Sequence, residues 1–484
     1  MNELKRLHPA AIFVSFLTAL RSFLIPFVLS FFLGSSNETG GFFRFEYIWI
    51  GILLFIFIQG VGHWLTFKYQ IVNEELYIQR GIFIKKKRYI QQKKVQSIDV
   101  TAGVFQRLFG LVKIKIETAG GGSEPEVHLI AISKDEASAI RAHLLKKTTE
   151  AEEQESVGEE ATEGTVKGRD YFWIFPKNHL IIAALTSSGL GLTISAVAAL
   201  FSQVEQFLPE SIYTVLFGFL SNSGVTVIII LVFIVFVIAW AVSFIGTLLK
   251  YGNFTIEKFG DELVISRGLL EKRQLTIHAH RITAIRLVRN LLRQPFGFTT
   301  VYVESAGGGT NEEQLSTVLL PIVRTKDIRT IFNELIPEYA VEYPVKRVPK
   351  RALIRFCFRN TIIPFIATLL IGWFVNPIAY YGFIIVVICL LFGYLQYRDA
   401  ACGFDDARLW IRYRKISQMI VISKRPKVQS AEIHTSFFQK RRRLASFKFS
   451  VLSSVIGKSF LVMDLDKDQA NSMLDWYSNQ NDIN

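Results

Sequence analysis

The chain has 484 residues, 50% of them hydrophobic and only 20% charged, with a mean hydropathy of +0.31 and a formal charge of +14. Soluble domains carry nearer one quarter charged residues, so this composition excludes a protein that lives wholly in water. The excess of Lys and Arg reads first as a membrane-topology signal with no nucleic-acid motif beside it, and three cysteines, Cys357, Cys389 and Cys402, exclude a disulfide framework.

Residues 1–67 read as a first transmembrane hairpin, with apolar runs at Ala10–Leu33 and Tyr47–Phe67, each near the roughly 20 residues a bilayer requires. No cleavable signal peptide is expected, because the first run has no short apolar core ending in an A-x-A site. Residues 68–147 follow as a strand-rich soluble domain. Leu111 to Ile116 alternate as a strand with one buried face does, and Ser133 and Glu136 have the spacing of a capping box that opens a closing helix. Residues 148–170 hold seven Glu between Glu150 and Glu163, the composition of a disordered acidic linker.

The order then recurs. Residues 171–250 carry a second hairpin, with runs at His179–Phe201 and Val225–Leu249, and 251–337 a second domain whose closing helix Thr325 is expected to cap. A proline-bearing linker, 338–350, leads to a third hairpin at 351–397, whose runs Thr361–Val375 and Ile378–Tyr397 are split by Asn376-Pro377. A third, divergent domain occupies 398–484, with Asp466 and Gln469 at the capping-box spacing. The fold class expected is an α+β membrane protein, with three helical hairpins, about six spans, each followed by a β-sandwich or barrel with a C-terminal helix. The hairpin loops are poor in Lys and Arg and the rest is rich in them. The positive-inside rule therefore places both termini and all three domains in the cytoplasm of a multi-pass cell-membrane protein.

Repetition carries this division. Arg80-Gly81-Ile82-Phe83 is matched by Arg267-Gly268-Leu269-Leu270, an offset of 187 that also carries Phe109-Gly110 onto Phe296-Gly297 and Gly120–Gly122 onto Gly307–Gly309. An offset of 333 carries Lys94-Val95-Gln96-Ser97 onto Lys427-Val428-Gln429-Ser430, although Ser453-Ser454 replace the glycine pair there. Among the hairpins, Arg21 and Pro26 correspond to Arg359 and Pro364, which suggests shared positions at the cytoplasmic interface.

Paired spans followed by a strand-rich domain with an R-G-[IL]-[FL] turn and a closing helix resemble the YdbT-type bacterial pleckstrin-homology-like (PH-like) membrane proteins. The resemblance implies a PH-like fold for each domain and a smaller, single-unit membrane partner of the YdbS type. It also implies a role in protection against membrane-active bacteriocins, but no defined biochemical activity.

No nucleophile, acid–base or phosphate-loop constellation accompanies these features, so an enzyme is not expected, nor a cofactor. His278 and His280 read as neighbours on one strand face without a third metal ligand. The residues expected to contact anionic lipid headgroups or a partner protein are Lys85, Lys86, Lys87, Arg88, Lys93 and Lys94 in the first domain, and Lys440, Arg441, Arg442 and Arg443 in the third. The function expected is that of a membrane scaffold. The alternative, a transporter or exporter component, lacks acidic groups within the spans.

Overall fold

The computed structural model describes residues 4–20, 45–72, 75–81, 84–118, 127–145, 169–186, 224–305, 316–340, 342–375, 377–453 and 457–478, with isolated positions 23, 195 and 218. The acidic stretch, the glycine-rich loops at 120–122 and 307–309, Arg21, Pro26, half of the first run of the first hairpin and most of that of the second lie outside them. The chain divides into two compact units, Met1–Phe259 with Val264–Thr276, and Gly260–Leu263 with Ile277–Asn484. The boundary passes through the second domain copy.

Among the described residues, four helices are long and apolar enough to cross a membrane: Trp49–Thr66, Ile229–Tyr251, Lys350–Phe374 and Tyr380–Asp399. Ala10–Leu20 is a shorter apolar helix. The helix Val225–Tyr251 spans 27 residues, so at about 1.5 Å per residue it exceeds the roughly 30 Å apolar core of a bilayer. Only 11% of its most apolar window is buried by protein, which leaves lipid as the solvent for the remainder. The helix carrying Arg359 and Pro364 starts ahead of the apolar run, at Leu353.

In the first unit, β2 (Lys68–Val72), β3 (Glu75–Arg80) and β4 (Lys86–Gln91) form one sheet of the first domain, and β5 (Val95–Ala102), β6 (Leu111–Thr118) and β7 (Val127–Ser133) its second. Alternation dictates the core: Leu76, Ile98, Ile114, Ile116 and Leu129 are fully buried, while their strand neighbours point away. The closing helix Lys134–Leu145 presents Ala137, Ile140 and Leu144, spaced as one helical stripe, to that core. The Ser133 hydroxyl accepts from the Glu136 amide at 3.2 Å, as a cap should.

The same six-strand order recurs as β9 (Thr255–Phe259), β10 (Glu262–Arg267), β11 (Lys272–His278), β12 (Ile282–Arg289), β13 (Phe298–Ser305) and β14 (Thr317–Arg324). It recurs again as β16 (Ala401–Phe404), β17 (Arg408–Arg414), β18 (Gln418–Lys424), β19 (Val428–His434), β20 (Leu444–Val451) and β21 (Lys458–Asp466). Closing helices follow at Ile328–Leu335 and Lys467–Ser478. Even the irregularities repeat, with register shifts between Val95 and Ser97, Ile282 and Ala284, and Val428 and Ser430. Thr325 does not cap the second closing helix. Asp327 holds the N-cap position, and the Thr325 hydroxyl is spent on the Gly297 carbonyl at 2.9 Å. Asp466 accepts from the Asp468 amide, while Gln469 turns away to Cys402.

Two further arrangements were not legible beforehand. Each domain is joined by a short strand from ahead of its apolar segment: β1 (Lys5–Arg6) pairs β2, β8 (Tyr171–Ile174) pairs β9, and β15 (Lys346–Arg347), inside the stretch read as a linker, pairs β16. Neighbouring copies also fuse edge to edge, giving one seven-stranded sheet β7-β6-β5-β11-β10-β9-β8 and another β14-β13-β12-β18-β17-β16-β15.

Candidate membrane-contact site

The Arg-Gly turn of the second copy ends a membrane helix. Gly268 donates its amide to the Gly252 carbonyl at 2.8 Å, and Leu269 donates to the Leu249 carbonyl at 3.0 Å. Carbonyls left open by the end of the helix Val225–Tyr251 are thereby satisfied. Gly268 has φ +104°, and a Cβ there would sit 1.9 Å from the Glu271 carbonyl oxygen, so no other residue fits. The turn exposes Leu269 and Leu270 beside that helix end.

The connection between the first two strands of each second sheet is a short apolar knob. Val104 and Phe105 are 54% and 50% exposed, and their repeat counterparts Leu291 with Leu292 and Phe437 with Phe438 are likewise solvent-facing. A buried polar side chain roots the knob in the two copies where it is helical. Gln106 caps Val104–Leu108 and donates to the Ile130 carbonyl, and Gln439 caps Phe437–Arg441 and donates to Asp464. The apolar tips are therefore held outward by the fold. In the first unit Phe13, on the apolar helix Ala10–Leu20, packs edge-on against Phe105 and Phe109 at 6.4 and 6.5 Å. Arg107 donates to the carbonyls of Leu269 and Leu270. In the second unit Arg351, where the helix Lys350–Phe374 begins, donates to the Arg443 carbonyl, and Arg442 donates back to the Arg351 carbonyl. The first and third knobs thus lie at the level of apolar helices. Sequence reasoning missed them. The signal, an aromatic or aliphatic pair recurring at the 187 and 333 offsets, was present but reads equally well as core.

The basic residues singled out from the sequence fall into three settings. Lys440, Arg441, Arg442 and Arg443 are exposed and follow Phe437 and Phe438 with only Gln439 between. Lys93 and Lys94 lie in the single 3-10 turn between β4 and β5, where Lys94 is exposed. Lys85 ends the turn after β3, and Lys86, Lys87 and Arg88 begin β4, where with Arg80 they line a cavity of about 300 Å3 beside Phe67 and His128. Burial, then the charges of Lys113, Lys115 and Arg80, push the His128 imidazole down to about 4, so it adds no charge at neutral pH. A second cavity of about 400 Å3 in the first unit is lined by Lys134, Arg141, Arg267, Lys272 and Arg273, with no acidic side chain on its wall. Both cavities favour anions.

Near the third closing helix, Asp464 is fully buried and binds Arg355 at 2.8 Å and Arg359 at 3.4 Å. Arg359 therefore has a protein partner in the third domain. His278 and His280 do not share a strand face, because β11 ends at His278 and His280 belongs to the next turn. Asp261, in the β9–β10 turn, meets both, a third potential ligand that sequence reasoning did not find. Its carboxyl, despite partial burial, is held below the usual range by hydrogen bonds from the two imidazoles.

Apolar helices followed by a repeated run of six strands and a closing helix define a class, the integral membrane proteins that carry PH-like domains. The bacterial PH domain family model matches residues 19–148, 199–338 and 358–481. The transmembrane protein YdbT of Bacillus subtilis (strain 168) is 36% identical over 490 residues, covering 99% of this chain and 99% of that protein. The chain belongs to this family of bacterial PH domain membrane proteins. No solved structure matches it.

Proposed function

We propose that the chain is a non-enzymatic membrane scaffold whose PH-like domains rest on the cytoplasmic leaflet, with the apolar knobs in the interface and the surrounding cations on anionic headgroups. The observation that carries this reading is the repeated exposed pair, Val104–Phe105, Leu291–Leu292 and Phe437–Phe438, with Lys440–Arg443 following the third. An apolar tip ringed by Lys and Arg combines buried area with charge attraction, each cation near an anionic surface contributing about 1 kcal/mol. Pairing of β1 with β2, β8 with β9 and β15 with β16 supports a six-span topology, because strands flanking each apolar segment pair only when that segment crosses an even number of times. The Lys- and Arg-rich flanks favour the cytoplasm as the shared side. A smaller single-unit membrane partner and protection against membrane-active bacteriocins are the physiological setting that the family resemblance suggests for such a scaffold.

Spin labels on the full chain in anionic bilayers test this reading. A label at Phe438→Cys should be more accessible to oxygen than to a polar nickel complex, as interfacial residues are, whereas one at Ser472→Cys should show the reverse. Equal aqueous exposure at both positions would remove the proposed contact.

A further inference from the structure

The chain forms one kind of seam twice. The edge strand of the first copy's second sheet, β5, joins β11, the edge of the second copy's first sheet, and β12 joins β18 in the same way. Among the described residues, two strands of these types remain terminal in their sheets: β4, at the end of β1-β2-β3-β4, and β19, at the end of β19-β20-β21. They are of the two kinds that each of the existing seams joins. We propose that the β19 edge of one molecule pairs with the β4 edge of a second copy of this chain, head to tail.

Register and charge argue for this occupant. In the β12–β18 seam Arg286 stands opposite Val421, Ile285 opposite Ile422 and Val288 opposite Met419. The repeat offsets (146 from the second copy to the third, 333 from the third to the first) carry these pairs onto Glu432 opposite Arg88, Ala431 opposite Tyr89 and His434 opposite Lys86. In the β5–β11 seam a nearly buried ion pair, Asp99 with Arg273 at 2.9 Å, bridges the copies. The same offsets turn Asp99 into Glu432 and Arg273 into Lys86, so both ends of that ion pair persist with their signs at the two terminal strands. In β4 every residue except Ile90 is exposed, and Glu432 is exposed in β19. Lysines on an edge strand ordinarily deter pairing, and three successive cations do forbid β4 from pairing with another β4. A strand that offers Glu432, whose exposed carboxylate at present takes His434 and Lys448 on one oxygen, is complementary. The contact joins unlike surfaces, so it builds a ring or an open row of molecules along the membrane.

Cross-linking of full-length chains in membranes tests the proposal. One version carries Tyr89→Cys and one tag, a co-expressed version Ala431→Cys and another tag, and directly opposed strand residues lie within disulfide reach. Oxidation should give a disulfide-linked pair bearing both tags, at least tenfold above the unsubstituted chain. Lys86→Glu with Arg88→Glu in the first version should abolish it, and Glu432→Lys in the second should restore it. Val288→Cys with Met419→Cys in one chain, opposed in an internal seam, serves as the control for folding and oxidation. With that control positive, three results overturn the proposal: no linked pair, a link formed within one chain carrying both edge cysteines, or a link from Tyr89→Cys to a different protein. Lipid contact does not enter this readout, so its failure leaves the function proposed above untouched.

Discussion

Asp464 shows how a single side chain joins a soluble domain to a membrane helix. It is fully buried, lies in the left-handed region at φ 58°, and holds Arg355 and Arg359 of the helix Leu353–Phe374. Asn tolerates that backbone nearly as well, so Asp464→Asn removes charge without strain. The substitution should cost about 1–3 kcal/mol of third-domain stability, below the roughly 3–5 kcal/mol of a fully buried broken pair, because the Arg359 side chain is 41% exposed. Hydrogen exchange along β21 would measure it. Gly268→Ala should be harsher, since the added carbon overlaps a carbonyl, and the full chain should fail to accumulate in membranes. His128 supplies a pH test. Its folded pKa is depressed, so the neutral ring's contribution is complete above about 6.5 and lost as pH falls toward about 4. Hydrogen-exchange protection factors in β7, which divide out the intrinsic pH dependence of exchange, should fall over that window in the native chain and not in His128→Gln. The Arg-Gly turn was legible in the sequence because two copies share it. Asp464 was not, because its counterparts in the strand register of the other copies are Ala131 and Ile322, and its partners lie more than a hundred residues away.

Among elements, alternation located β6 and the 333 offset its counterpart β20, and capping-box spacing the first and third closing helices, since burial of one face leaves a periodic trace. Which edges would meet left no such trace. A terminal strand and one paired on both sides have the same alternation, so the seams β5–β11 and β12–β18 had to be seen. The knobs escaped for a related reason, because an exposed Phe in lipid and a buried Phe in a core are written alike. Phe437→Ser with Phe438→Ser separates the two. Neither side chain is buried in protein, so domain stability should change by less than about 0.5 kcal/mol. The oxygen accessibility of a neighbouring spin label should nevertheless fall to its aqueous value, whereas unfolding of the third domain would place these rings in its core.

At the scale of the whole molecule, the account rests on all the PH-like copies facing one side of the membrane. Composition made the membrane legible, while loop charge gives only the expected sidedness, to which the strand pairs that flank each apolar segment add a geometric reason. The most direct test is labelling of single cysteines by an impermeant thiol reagent in intact cells, against a background with Cys357, Cys389 and Cys402 replaced. Cysteines at Ser36 and Ser221, which the sequence reads as hairpin loops, should react from outside, and those at Ser156 and Ser472 only after the membrane is opened. Reaction of Ser156→Cys or Ser472→Cys in intact cells would contradict a scaffold that docks its domains on the cytoplasmic leaflet.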